Sequence, residues 1–282
     1  MDLRTAIAGA LERLIHGGVA DARLTAEVLL ASAIGQERVY LFAHPEEELT
    51  EAAARTFRRY LGERLNGVPT QYILGRQEFY GRMFKVTPDV LIPRPETEHQ
   101  VDVVMRRQPD ARRVADIGCG SGAIGVSLKL ERPEMRLLLI DISLAALTVA
   151  RENAAALDAQ VDFLCCDLGA ALAPAAFDVI VSNPPYIPLD ARDGLPREVR
   201  DHEPHVALFG SGQGAQIYRR LIADAERVLR VGGLLSVELG YQDVEVVRPM
   251  YSNDWRFLEV TQDLAGWPRV LSAFYHPRGA GL

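Results

Sequence analysis

From residue 113 onward the chain sets short apolar runs against amphipathic stretches, and that alternation leaves few architectures open. Residues 113–117, 136–140, 161–166, 177–181 and 234–239 read as buried strands, and 123–131, 144–157 and 215–230 as helices. Strands that alternate with helices predict a parallel sheet covered on both faces, because a parallel crossover needs a connection of helical length. Two last strands, 257–261 and 270–275, are joined by a short Gly- and Pro-containing segment, too short for a helical crossover, so this pair should run antiparallel. The expectation is an α/β fold with seven strands.

Three carboxylates end three successive strands: Asp116, Asp141 and Asp167. In a doubly wound sheet the strand C-termini line one edge and ligands bind there, so these acids should converge on one cleft. Asp116-Ile117-Gly118-Cys119-Gly120-Ser121-Gly122 follows the first strand and opens a helix, where glycines let the backbone approach a nucleotide-like ligand closely. Gly120 to Gly125 also satisfies the dinucleotide pattern G-x-G-x-x-G, so the loop alone does not choose the cofactor. Asp141 is placed to accept from both ribose hydroxyls, and Asp167 from an exocyclic adenine amine. The bland reading of each acid is a helix cap, Asp141 standing just before Ile142-Ser143 at a helix start.

The fourth strand ends in Ser182-Asn183-Pro184-Pro185-Tyr186. Two prolines fix the backbone and remove two N–H donors, which leaves an acceptor-rich turn. The Asn183 side-chain oxygen and the Pro184 carbonyl can hold the two hydrogens of a planar NH₂ group and aim its nitrogen at an electrophile, with Tyr186 packing on the planar group.

The first seventy residues have helical period instead. Leu3, Ile7, Leu11, Leu14 and Ile15 mark one helix, Leu24 to Ala31 around Thr25 a second, and Leu49 to Leu65 another that starts at Thr50-Glu51. Asn66-Gly67 and Pro69 stop the pattern, and 77–86 reads as a hairpin around Gly81. The boundaries expected are a helical domain over 1–73, a hairpin linker over 74–92 and a catalytic domain over 93–282. Residues 1–85 hold 11 basic and 11 acidic side chains; of the chain's 31 and 38 this leaves 20 and 27, so the net charge of −7 sits entirely beyond residue 85. An acidic domain is poorly suited to gripping a phosphate backbone through counterion release, which disfavours a nucleic-acid substrate. No apolar run spans a bilayer or makes a signal peptide, so a cytoplasmic chain is expected. Three cysteines, two of them adjacent, make neither a disulfide framework nor a cysteine zinc site, and His202-Glu203-Pro204-His205 lacks a third ligand, so no metal is expected.

The glycine loop, Asp141 and Asn-Pro-Pro-Tyr together resemble S-adenosylmethionine-dependent amino-group methyltransferases. Val68-Pro69-Thr70-Gln71-Tyr72-Ile73-Leu74-Gly75, the stretch 79–86 and Leu91-Ile92-Pro93-Arg94-Pro95-Glu96-Thr97-Glu98 narrow this: the series is similar to the bacterial peptide chain release factor glutamine methyltransferases. Glu203-Pro204, Ala207-Leu208, Gly232-Gly233, Glu238 and Asp263 to Gly266 before Arg269-Val270 continue the likeness. The resemblance implies a Rossmann-like, seven-stranded class I methyltransferase domain behind a small helical domain that helps bind the release factor. It implies that Gly118, Cys119, Gly120, Ser121 and Gly122 wrap the methionine end of S-adenosylmethionine, that Asp116 reaches its amino group, that Asp141 holds the ribose, and that Asp167 and Leu168 border the adenine. Asn183, which also borders the cofactor, would with Pro184, Pro185 and Tyr186 hold the glutamine side chain of a Gly-Gly-Gln loop in class 1 release factors, Asn183, Pro184 and Tyr186 carrying the catalysis. The chain is then expected to act as a monomer, without a membrane or a nucleic-acid substrate. The reaction implied is a direct in-line displacement in which the amide nitrogen attacks the sulfonium methyl and S-adenosylhomocysteine leaves.

Some positions depart from the family pattern: Cys119 stands where Thr is usual, 211–215 replaces a more typical Gly-Gly-x-x-Gly-Leu, and 241–245 lacks the Gly and second Gln expected after Glu238. Two rivals use part of the same motifs. A DNA or RNA exocyclic-amino methyltransferase shares the Asn-Pro-Pro-Tyr chemistry, but 186–215 has no room for a long target-reading insertion. A nicotinamide-dependent oxidoreductase is allowed by the glycines, but gives Asn183 to Tyr186 no role and has only Lys85 and Lys129 to draw on for a Tyr-Lys pair.

Overall fold

A computed structural model describes residues 1–210, 215–240 and 242–278; the departures at 211–214 and at Tyr241 lie outside them. The chain divides into two compact units, Met1–Gly75 with Pro196–His202, and Arg76–Leu195 with the chain from Glu203 onward. Among the described residues no helix is long and apolar enough to cross a membrane.

The first unit is helical: α1 (Leu3–His16), α2 (Ala22–Ile34), α3 (Arg38–Ala43), α4 (Glu51–Leu65) and α5 (Thr70–Leu74). The Asp2 carboxylate accepts from Thr5 N at the start of α1, and Thr50 Oγ1 accepts from Ala53 N at the start of α4, each satisfying a first-turn donor that has no partner within the helix. In α1, Leu3, Ala6, Ala10 and Leu14 recur at spacings of three and four and form one buried stripe. They meet Leu29, Leu30, Leu41, Phe57 and Leu61 in a single core. Glu27 is buried in α2, where it accepts from Arg23 Nε at 3.0 Å and from an Arg38 guanidinium nitrogen at 2.8 Å. Two partners on one carboxylate offset the loss of hydration.

The second unit begins with a hairpin, β1 (Arg76–Phe79) and β2 (Arg82–Lys85). Tyr80 and Gly81 take φ of 51° and 70°, the succession that a two-residue primed turn requires. Tyr80 is held there by its N–H to Glu98 Oε1 (2.8 Å) and its hydroxyl to Asp102 Oδ1 (2.9 Å). Residues 74–92, read from the sequence as a linker, contribute Phe79, Phe84, Val86, Val90 and Ile92 to the interior of this unit, each at most 2% exposed. The two phenylalanine rings pack edge-on at 6.0 Å and join the core beneath the sheet.

A 3₁₀ turn at Pro95–Thr97 leads into α6 (Glu98–Arg107), and the alternation expected from the sequence follows: β3 (Arg113–Ile117), α7 (Ala123–Glu131), β4 (Arg136–Asp141), α8 (Leu144–Ala156), β5 (Asp162–Cys165) and β6 (Phe177–Ser182). The chain then supplies α9 (Arg197–His202) to the first unit, where Glu198 pairs with Arg64 at 2.5 Å. It resumes with α10 (His205–Leu208), α11 (Ala215–Val228), β7 (Leu229–Glu238), α12 (Val244–Val247), β8 (Trp255–Gln262) and β9 (Pro268–Tyr275). The seven-stranded sheet has the order β5-β4-β3-β6-β7-β9-β8; its first five strands are parallel, and β9 runs antiparallel to both β7 and β8. β7 starts five residues before the expected strand, and the β6–β7 register shifts between Phe177 and Val179.

Side chains alternate between two cores because successive residues of a strand face opposite ways. Val114, Leu139, Val179 and Leu234 enter the core with α6, α7 and α8, whereas Ala115, Ile140, Ile180 and Leu235 enter the one with α11. Helix α11 buries Ile217, Tyr218, Leu221, Ile222, Ala225 and Val228 there.

Candidate active site

The strand order reverses between β3 and β6: from β3 the chain steps outward to β4 and β5, then returns to place β6 on the other side. Such a switch point leaves a crevice outside the carboxyl ends of the strands, since the connections there depart in opposite directions. Register fixes what arrives at it. Ile117 pairs with Ser182 and with Ile140, and Asp141 pairs with Cys165. Gly118, Asn183, Asp141 and the chain at 166–168 therefore emerge side by side, lining a cavity of about 320 Å³. That volume lies within the ordinary range for a small-molecule site.

The glycine loop wraps this end of the sheet because three of its residues, Gly118, Gly120 and Gly122, take φ of 74°, 54° and 81°. Gly118 N and Cys119 N both donate to Ile140 O, at 2.8 and 2.9 Å. Asn153, 2% exposed, donates to Ser121 O and Lys85 O and accepts from Lys85 N, so it ties the loop to β2. Gly125, in the first turn of α7, sits where the helix comes nearest the sheet. A Cβ there would lie 2.8 Å from Leu139 Cδ1 and 2.9 Å from Asp116 Oδ2. Overpacking of this kind costs about 1–3 kcal/mol, against about 1 kcal/mol gained from alanine's helix propensity. Gly125→Ala is therefore expected to lower the midpoint of denaturant unfolding, and an unchanged or raised midpoint would mean that Leu139 and Asp116 yield to it.

Asp141 holds the loop from the other side. Its Oδ2 accepts from Gly120 N and its Oδ1 from Ser143 N, both at 2.9 Å. The cap of α8 is Ser143, whose Oγ accepts from Ala146 N, so Asp141 is free of the capping role that its position suggested. Burial pushes its pKa up, and hydrogen bonds from the backbone of Ser143, Gly120 and Ile142 oppose that. A carboxylate offers about four acceptor directions, so Gly120 N and Ser143 N, the two donors at 2.9 Å, leave it further acceptor capacity. Asp116 is 0% exposed and lies beneath the loop: Oδ2 accepts from Gly125 N, Oδ1 has no partner, and desolvation first, then the nearby Asp141 charge, pushes its carboxyl up to about 7.

On the β6 side, Asn183 and Pro185 line the cavity, Pro184 is buried, and Tyr186 packs into the core near Gly240. Burial raises the pKa of the Tyr186 hydroxyl, so it stays protonated. The Asn183 amide is oriented from behind: Nδ2 donates to Thr97 Oγ1 at 3.3 Å, which leaves Oδ1 as its uncommitted acceptor. The strand end itself is pinned by Gln100, fully buried in α6, which donates to Ser182 O at 2.7 Å and accepts from Ser236 Oγ at 2.9 Å. Ser182 Oγ donates to Ile117 O, binding β6 to β3 at the switch point.

The remaining candidates fall into place around these. Asp167 and Leu168 line the cavity, and one Asp167 oxygen accepts from Arg220 at 2.6 Å, both side chains being half-exposed. Leu168 takes φ of 51°, a turn that costs a branched residue about 1–2 kcal/mol. Cys119 also lines the cavity as a free thiol, and desolvation keeps it protonated and poorly nucleophilic. Arg94, on the cavity wall, pairs with buried Glu203 at 2.5 Å, which commits that carboxylate to bracing the 90–94 segment. Glu98 is used by the hairpin. Arg197 and Arg200 pair with Asp201. Sequence reasoning missed Thr97, Gln100 and Asn153 as supports of the site. Thr97 stood inside a quoted motif, but nothing local marks a buried polar side chain as the partner of another one 86 positions away.

Residues 101–193 match the Methyltransferase small domain family. A methyltransferase from Pyrococcus furiosus has the same fold at 14% identity, TM-score 0.54, covering 80% of this chain and 100% of that one. A 16S rRNA N2 G1207 methyltransferase from T. thermophilus has it at 19% identity, TM-score 0.52, covering 71% and 50%. With a glycine loop and acidic strand ends at the switch point, the chain is a methyltransferase of the doubly wound α/β class.

Residues 5–75 match the PrmC N-terminal domain family. The release factor glutamine methyltransferase of Koribacter versatilis is 43% identical over 274 residues, spanning 96% of this chain and 98% of that protein. That of Moorella thermoacetica is 44% identical over 280 residues, spanning 97% and 99%. The chain belongs to the release factor glutamine methyltransferase family.

Proposed function

We propose that the protein transfers a methyl group from S-adenosylmethionine to the side-chain amide nitrogen of the glutamine in the Gly-Gly-Gln loop of class 1 release factors, in the cytoplasm where these factors act. The observation that carries the reading is the juxtaposition at the switch point: glycine loop, Asp141 and Asn183 line one cavity, with Asn183 Oδ1 left as an acceptor. The residues present fit the cofactor. Backbone at Gly118 to Gly122 accommodates its methionine end, Asp141 its ribose, and Asp167 with Leu168 its adenine; bound there, S-adenosylmethionine supplies an electrophilic methyl group. Asp116, fully buried and off the cavity wall, supports α7 behind the loop through Gly125 N and does not face the site where the cofactor's amino group would lie.

An amide nitrogen is a weak nucleophile because its lone pair is delocalised. Asn183 Oδ1 and the Pro184 carbonyl accept its two hydrogens, which orients the nitrogen and stabilises the positive charge that grows on it. Pro185 and Tyr186 shape the turn that presents those acceptors. No protein group is assigned as general base: the proton becomes acidic as the new C–N bond forms and is lost to water. The helical unit, by its likeness to the PrmC N-terminal domain, supplies contacts to the release factor.

The test is mass spectrometry of a purified class 1 release factor after incubation with the protein and S-adenosylmethionine, beside DNA and RNA. One added methylene on the glutamine of the Gly-Gly-Gln peptide is expected. Label entering nucleic acid alone would keep the amino-group chemistry and overturn the target.

A further inference from the structure

Beside Asn183 a polar chain runs from Thr97, which also lines the cavity, to buried Glu238. Asn183 Nδ2 donates to Thr97 Oγ1 at 3.3 Å. Thr97 is 4% exposed, and its hydroxyl lies near enough to the carboxyl group of Glu238, 2% exposed, at the end of β7, to hold that carboxyl's pKa down. Glu238 Oε2 is buried with no hydrogen-bond partner. A carboxylate placed where one oxygen goes unsatisfied is a costly arrangement, and a purely structural role would be met by an apolar side chain.

We propose that Thr97 and Glu238 are positioning residues that set the polarity of the Asn183 amide, and hence whether an acceptor or a donor faces the substrate. This rests on the reading of Asn183 as the acceptor of the glutamine NH₂ group. A hydroxyl has one proton to give and a carboxylate can only accept. With Glu238 ionised, the Thr97 proton points to it, and Thr97 Oγ1 can only receive from Asn183. That places the Asn183 NH₂ toward Thr97 and its Oδ1 toward the cavity, as the productive geometry demands. With Glu238 protonated, its own O–H can donate to Thr97, the hydroxyl proton is released toward Asn183, and the flipped amide becomes the better partner. Its NH₂ group would then face the NH₂ group of the substrate, donor against donor, leaving both unsatisfied.

Burial pushes the Glu238 carboxyl up to about 7. The Thr97 hydroxyl and the charges of Arg269 on β9 and Arg94 oppose that rise, and Glu96 adds to it. Tyr186 and Tyr218 on α11 also face this carboxyl, and Asp243 accepts from the Tyr218 hydroxyl; each of the three has its own pKa raised first by desolvation. The ionised form is the competent one, so turnover should rise with pH through about 7 and level off above it. Asp116, also pushed up to about 7, and Asp141 and Asp243, raised by burial, are further carboxyls able to shape that limb, and replacing Glu238 separates it from them.

Three variants test this under single-turnover conditions with a release factor and saturating S-adenosylmethionine. Thr97→Val, which keeps the shape and removes the hydroxyl, is expected to lower the rate about tenfold or more, with cofactor affinity kept and the protein still folded at the assay temperature. Thr97→Ser should restore most of the rate. Glu238→Gln should lower the plateau and abolish the limb near pH 7. A wild-type rate in Thr97→Val, an equal loss in Thr97→Ser, or a limb that persists in Glu238→Gln overturns the inference. Undiminished turnover in Asn183→Ala would instead remove the reading beneath it, whereas loss in Asn183→Ala with a wild-type Thr97→Val sinks the polarity relay alone.

Discussion

Asn183→Ala is expected to reduce turnover by about 10² to 10³, the loss typical of removing one preorganised group that faces charge developing in a transition state. The side chain does little else. It is half-buried, its only hydrogen bond in the described structure is to Thr97, and the strand end is anchored independently by Gln100 and Ser182. Cofactor affinity, measured by calorimetry, should therefore stay near the wild-type value while the single-turnover rate falls. That split identifies an interaction made chiefly in the transition state, since an interaction of equal strength in the ground state would surface as weaker binding instead. Matched losses in rate and in cofactor affinity would show that Asn183 maintains the shape of the whole cavity, and its role as acceptor would fall.

The part of this site that was legible in the sequence is the part written in local pattern. Strands β3, β4 and β6 announce themselves as apolar runs because a parallel strand is buried on both faces, and their C-terminal polar residues then point to one edge. Thr50 was readable as a cap for the same reason: its oxygen serves a donor only three residues away. Asp141 was ambiguous because one residue type serves equally as a cap or as a ligand. The contact of Gly120 N with its carboxylate and the separate capping by Ser143 remove the capping reading in space.

What was not legible depends on distant partners. The strands of the hairpin are four residues each, so their alternation is too brief to distinguish a linker from a buried pair, yet Phe79 and Phe84 close one face of the core. β7 begins with Leu229, but Arg230 and Gly232-Gly233 hide that start behind residues that usually end strands. α9 joins the first unit although it is separated from it by some 120 residues, and nothing in its composition says so. Glu238 reads as an ordinary strand-terminal acid; only its 2% exposure and unpaired oxygen reveal that a charge has been placed where hydration cannot reach it.

Asp141→Ala should produce the opposite split: S-adenosylmethionine affinity weakened by about two orders of magnitude or more, with the rate at saturation largely kept. A hydrogen bond to a charged group contributes about 1.5–3 kcal/mol, and two of them, one to each ribose hydroxyl, would account for a loss of that order. Part of the loss has a second origin. The carboxylate also accepts from Gly120 N and Ser143 N, so alanine leaves two backbone donors without their partner and loosens the glycine loop. Asp141→Asn separates the contributions. Its single carbonyl oxygen can still serve one backbone donor, but the NH₂ group that replaces the other oxygen opposes an N–H, and the negative charge is gone. If the ribose is what Asp141 holds, an analogue lacking both ribose hydroxyls should bind the wild type about as weakly as the cofactor binds Asp141→Ala, and the two losses should not add. Full additivity would mean that Asp141 acts on the loop alone, and the ribose would have to be held elsewhere along the cavity.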